Sequence, residues 1–216
     1  QGPLDFQKQK ELIHGYMAAT SYMDSQVGLL LGKLEELGIR DNTLVILWGD
    51  HGFHLGDHGL WTKHTNFEQA VRSPMIISAP QGFSANKNNI PTEFVDIFPT
   101  LCELTNLDVP DHLPGKSLVP LMKDPNIFVR FAALSQYPRG VSRMGYTLRS
   151  QRFRYVKWLQ MNYKTGERIG KLIATELYDY ENDPLETVNQ SNNPDFKEII
   201  IAFENEFKTR GVAQSN

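Results

Sequence analysis

Four of the six histidines, His51, His54, His58 and His64, fall within fourteen residues of a loop that also holds Asp50, Asp57 and Lys63 and is punctuated by Gly49, Gly52, Gly56 and Gly59. Asp50 and His51 are adjacent, and on a sharply turning backbone a carboxylate oxygen and an imidazole nitrogen can converge on one cation. Gly49 and Gly52 permit such a turn. Lys63 comes thirteen residues after Asp50, beyond a loop that can fold back, so its ammonium is placed to neutralise an anionic group already held by the metal. Cation and lysine together describe a site for a tetrahedral oxyanion. The alternative, zinc held on a helix by His51, His54 and His58 at steps of three and four, is opposed by the glycines between them. His54, His58 and His64 are candidates to contact substrate or donate a proton, against the plainer role of hydrogen-bonded loop supports. Arg139 and Arg143 are candidates to pair a sugar carboxylate, against the default of solvated surface arginines.

The elements that carry these residues follow from periodicity and punctuation. Leu12, Tyr16, Ala19, Met23, Val27, Leu30, Leu34 and Leu37 alternate steps of three and four, which predicts a helix over residues 7 to 37 with an apolar stripe. Gly38 closes it, Asp41 and Asn42 turn the chain, and Thr43 to Trp48 is a strand-like apolar run. The glycine-rich segment then forms a loop at the carboxyl end of that strand, where open α/β sheets place ligands. A second apolar run spans Met75 to Ala79, and Phe94 to Leu104 reads as a short helix started or interrupted at Pro99. Pro110, Pro114, Pro120 and Pro125 mark an extended connection over residues 111 to 130. Beyond it, Phe131 to Tyr137, Gly145 to Arg149, Phe153 to Leu159 and Glu176 to Tyr180 are short strand-like runs of a small antiparallel sheet. A closing helix with Phe196, Ile199, Ile200, Phe203 and Phe207 in one stripe, capped by Asn193 and with Pro194 in its first turn, is expected to lie across that sheet.

The run Gly49-Asp50-His51-Gly52-Phe53-His54-Leu55-Gly56-Asp57-His58-Gly59-Leu60-Trp61-Thr62-Lys63 resembles the second signature of sulfatases in the alkaline-phosphatase superfamily. Ser135-Gln136-Tyr137-Pro138-Arg139, Met144-Gly145-Tyr146, Arg152 to Trp158, and Glu176-Leu177-Tyr178-Asp179 before Asp183-Pro184-Leu185 agree with the iduronate-2-sulfatase-like branch. The resemblance starts at Tyr22-Met23-Asp24 in the long helix and spans nearly the whole chain. It implies an α/β fold: the C-terminal part of an alkaline-phosphatase-like sandwich over residues 1–110, the connection 111–130, and a C-terminal antiparallel subdomain with a C-terminal helix over 131–216. It implies Asp50 and His51 as metal ligands and Lys63 as the group on the sulfate and its bridging oxygen. The implied metal is calcium, with zinc or manganese as alternatives, since many members carry asparagine where His51 stands and imidazole suits softer cations. The family's nucleophile is a formylglycine made within a Cys/Ser-x-Pro-x-Arg segment. These 216 residues contain no such segment: Cys102 is followed by Glu103 and Leu104. The nucleophile and the paired aspartates of the metal site are therefore expected upstream, on a missing N-terminal portion of the same protein, and the chain alone is expected to be inactive.

The implied substrate is a sulfate ester, with a 2-O-sulfated uronate-containing glycan as the sugar class. The implied location is secreted, periplasmic or lysosomal. Two rivals stand beside this reading: a metal-dependent phosphatase or phosphodiesterase of the same superfamily, and a non-catalytic glycan-binding remnant. Composition narrows the partners further. The net charge of −3 comes from interspersed signs, so no basic surface for nucleic acid or anionic membrane is expected. With 40% apolar residues the chain can bury a core, and its single cysteine, Cys102, reads as a small packed hydrophobe.

Overall fold

The computed structural model describes residues 3–80, 82–162 and 164–212, the side chains of 167–169 excepted, and the chain divides into two compact units. The first comprises residues 1–63 and 68–83, the second residues 64–67 and 84–216. In the first unit, α1 (Phe6–Glu36) starts where the Asp5 side chain accepts a hydrogen bond from the Lys8 amide at 2.9 Å and stops at Leu37 before Gly38, whose φ of 65° suits only a residue without Cβ. None of its residues is buried, and Leu12, Tyr16, Met23 and Leu30 of the apolar stripe are exposed while Val27 and Leu34 are half-buried. β1 (Val45–Trp48) pairs antiparallel with β4 (Met75–Ser78), Trp48 opposite Met75. The glycine-rich segment is more ordered than a plain loop. β2 (His54–Leu55) and β3 (Trp61–Thr62) form a two-rung hairpin, closed by the Gly56 amide donating to the Leu60 carbonyl at 2.9 Å. A four-residue helix, α2 (Glu68–Val71), precedes β4.

The second unit holds the small sheet. β5 (Ala133–Arg139), β6 (Arg143–Arg149), β7 (Phe153–Asn162) and β8 (Glu167–Asp179) form an antiparallel meander in chain order. Strand alternation sorts its two faces. Tyr146, Leu148, Tyr155, Leu159 and Leu177 pack with Phe203 and Phe207 of α5 (Lys197–Thr209), so the closing helix lies on the sheet as its stripe predicts. Tyr155 stacks on Phe203 at 5.7 Å between ring centroids. Asn193 caps the entry to α5, its side chain accepting from the Asp195 amide at 3.0 Å, with Pro194 in the first turn.

Two features differ from the sequence expectation. The division falls at residues 83/84 rather than near 110, because the stretch before α3 (Ile97–Leu104) is bound into the second unit by charge. Asp96, fully buried, accepts from the Lys116 amide at 2.8 Å and pairs with Arg130; Glu93 pairs with Arg130 at 2.6 Å and with Arg210 at 3.0 Å. The proline-rich connection is also not extended throughout: it contains α4 (Val119–Lys123), with Leu118, Val119 and Leu121 buried, since Pro120 sits in the first turn, where its missing N–H costs nothing. Cys102 is buried in α3, as expected of a packed hydrophobe.

After β8 the chain is secured by a fork of charge. Arg152 donates to Asp179 through Nε at 2.7 Å and Nη2 at 2.8 Å, and this holds the Asp179 carboxyl below its usual range, with Asn182 donating at 2.7 Å in support. A depressed folded pKa stabilises the fold fully above the unfolded value of about 3.9, and that contribution vanishes as pH falls through the folded value. In urea titrations the stability gap between wild type and Asp179→Asn is therefore expected to be wide at pH 7 and to close below about pH 4. A gap independent of pH would refute this account of Asp179.

Candidate functional site

The chemistry-bearing turn of the first unit is held in place by backbone bonds. The Gly49 amide donates to the Pro74 carbonyl at 3.0 Å, and the Gly52 amide donates to the Ala70 carbonyl at 2.8 Å. At Gly52 a Cβ would lie 2.0 Å from the Gln69 carbonyl oxygen, so only glycine lets the turn pass beside α2. Between these anchors Asp50 and His51 emerge from the end of β1. The Asp50 side chain is 82% exposed and that of His51 30%.

His51 Nδ1 lies 2.6 Å from the Gly52 carbonyl oxygen. A carbonyl only accepts, so Nδ1 carries the proton and donates, which leaves the lone pair on Nε2. Lys63 Nζ donates to that lone pair at 2.5 Å, and Asp50 Oδ2 lies 3.4 Å from the same nitrogen. The backbone delivering Lys63 is unusual: Thr62 has φ of 76°, an uncommon conformation for a β-branched residue. Such strain concentrates at functional sites.

Asp50 Oδ2 and His51 Nε2 are near enough to share one cation, which would take the Nε2 lone pair in place of the Lys63 ammonium, and a tautomer fixed by a backbone carbonyl is the usual way a ligating imidazole is oriented. The donor set fits a divalent cation but covers only part of its needs, since four to eight donors are required. Among the described residues there is no group of three or more His, Cys, Asp or Glu side chains that could hold a metal ion.

The other candidates separate. His54 is fully buried in β2, with its ring 6.3 Å from that of His58. His58 is exposed at φ of 55°, so the three-histidine helix does not form. His64, Arg139 and Arg143 belong to the second unit and are exposed. Arg139 and Arg143 are paired in register across β5 and β6, on the sheet face opposite α5. His64 Nδ1 hydrogen-bonds the Tyr137 hydroxyl, with the rings 5.7 Å apart. Sequence reasoning assigned no role to Tyr137 or to Thr62. Tyr137 lies in a quoted motif, but its partner is 73 positions away.

A family profile described as Sulfatase matches residues 3–107, and one described as N-sulphoglucosamine sulphohydrolase, C-terminal, matches residues 56–212. A sulfatase of Formosa agariphila is 31% identical over 89% of this chain and 35% of its own length. Human iduronate 2-sulfatase is 29% identical over 89% of this chain and 46% of its own. The chain therefore spans less than half the length of these curated relatives. Among solved structures, one in complex with its substrate D-glucosamine-2-N,6-O-disulfate has a TM-score of 0.73 at 27% identity over 89% of this chain and 40% of that one. The phosphonate monoester hydrolase of Agrobacterium radiobacter has a TM-score of 0.70 at 28% identity over 86% of this chain and 38% of that one.

Proposed function

The chain belongs to the sulfatase family, and from that premise we propose that its protein hydrolyses sulfate esters of a saccharide, with Asp50 and His51 as metal ligands and Lys63 on the transferring sulfate. The observation that carries the proposal is the meeting of Asp50 Oδ2 and Lys63 Nζ at His51 Nε2, at 3.4 Å and 2.5 Å. A cation bound by the first two residues supplies Lewis acidity toward a sulfate oxygen. Lys63 adds a point charge that stabilises negative charge developing on the ester oxygen as its bond to sulfur lengthens. The family's formylglycine has no precursor segment among these residues, so this chain contributes ligands and charge, not the nucleophile.

For the sugar we propose a 2-O-sulfated uronate residue. The support is the human relative named above and a Bacteroides thetaiotaomicron relative named delta 4,5-hexuronate-2-O-sulfatase, 29% identical over 88% of this chain. Calcium is the proposed metal. The test is sulfate release from 4-nitrocatechol sulfate and from a 2-O-sulfated uronate disaccharide by the whole protein. Phosphate or phosphonate release in place of sulfate favours the rival reading as a metal-dependent phosphatase or phosphodiesterase, which the structural likeness to a phosphonate monoester hydrolase supports.

Metal binding is tested separately. His51→Ala is expected to lower affinity for the divalent ion by roughly 10- to 100-fold, while Asp57→Asn leaves it unchanged, measured by calorimetry on the whole protein. Equal affinities in His51→Ala and wild type would remove His51 from the ligand set.

A further inference from the structure

His64 follows Lys63 directly in sequence, yet its ring is held from β5 of the second unit. Tyr137 reaches Nδ1 with its hydroxyl, packs its ring 5.7 Å from the imidazole, and accepts on its own carbonyl a hydrogen bond from Asn66 Nδ2 at 3.4 Å. Asn66 is buried, and at Gly145 a Cβ would fall 2.3 Å from its Nδ2, so the segment after Lys63 is seated tightly on this sheet face. A phenolic O–H is a strong donor, whereas its oxygen, conjugated with the ring, is a weak acceptor; a neutral imidazole nitrogen is a good acceptor. The proton of the Tyr137–His64 bond therefore belongs to the hydroxyl, and His64 carries its own proton on Nε2, on an exposed ring.

We propose that Tyr137 is a positioning residue that locks His64 in the Nε2–H tautomer, and that this N–H donates to an oxygen of the saccharide substrate. The second half rests on the proposed sulfatase function; the first does not. A locked donor loses no free energy choosing a tautomer when substrate arrives, so its contribution falls on binding.

The experiment has two arms on the whole protein. Long-range nitrogen–proton spectra of the histidine side chains, with His64 assigned by its loss in His64→Gln, are expected to show the proton on Nε2 in wild type and a tautomer mixture in Tyr137→Phe. Kinetics with the sulfated disaccharide are expected to show KM raised roughly 3- to 10-fold in Tyr137→Phe with kcat within about twofold, the effect of one hydrogen bond. His64→Gln, whose amide reaches the ε position, is expected to retain most of the affinity, and His64→Asn is not. A wild-type proton on Nδ1, or a Tyr137→Phe tautomer identical to wild type, overturns the lock. An altered tautomer with unchanged KM overturns the substrate contact. If wild type releases no sulfate, the proposed function fails and takes the substrate contact with it, while the spectra still decide the lock.

Discussion

Lys63→Ala in the whole protein is expected to lower kcat for sulfate-ester hydrolysis by roughly 10²- to 10³-fold. The size is that of one preorganised donor on an oxygen whose charge develops as the ester bond breaks, the role proposed for an ammonium that lies beside His51. Such a contact strengthens in the transition state, so kcat carries most of the loss and KM little. Lys63→Arg is expected to recover only part of the rate, because a planar fork on a different stem does not place its charge at the same point. Single-turnover sulfate release by wild type and both variants decides the matter. A fall of less than about threefold in Lys63→Ala would end the role given to Lys63, since one exposed hydrogen bond alone is worth that much.

Arg130→Met is expected to be the most damaging substitution outside the site. Arg130 is buried between Asp96 and Glu93, with 2% of its side chain exposed, and its removal leaves Asp96 as a buried carboxylate without its cation. Breaking a buried pair from one side costs about 3–5 kcal/mol. For a chain of this size that corresponds to a fall in Tm of about 10 °C. Glu93 keeps Arg210, which moderates the loss on that side. The double variant Arg130→Met with Asp96→Asn is expected to be more stable than Arg130→Met alone, because an amide at position 96 still accepts from the Lys116 amide without a buried charge. Thermal unfolding of the three proteins checks this. A double variant less stable than the single one would show that the cost of Arg130→Met lies in lost packing rather than in the stranded carboxylate.

Much of the fold was legible in the sequence because it is encoded within a few residues. The alternation of threes and fours in α1, the Asn193-Pro194 start and aromatic stripe of α5, and the strand runs of β5 to β8 each depend on neighbours along the chain. The candidate site was legible for the same reason: Asp50 and His51 are adjacent, and the glycines that turn the backbone lie beside them. The spacing to Lys63 marked it as a partner, and the hairpin of β2 and β3 brings its Nζ to His51 Nε2.

By itself, then, the sequence determined the family, the element types and the three residues proposed for the chemistry. Only the tertiary structure decided that His54 is buried while His58 is exposed, that Asp96 needs Arg130, that residues 84 to 110 belong with the second unit, and that the segment after Lys63 is seated on the small sheet. Each of these rests on partners that no local period can encode: 34 positions separate Asp96 from Arg130, 73 separate His64 from Tyr137, and 117 separate Glu93 from Arg210. A histidine or an arginine has the same local pattern whether it ends in solvent or against a buried carboxylate. Which of the two it meets is fixed when distant segments pack together, because charge and hydrogen bonding act through space and not along the chain.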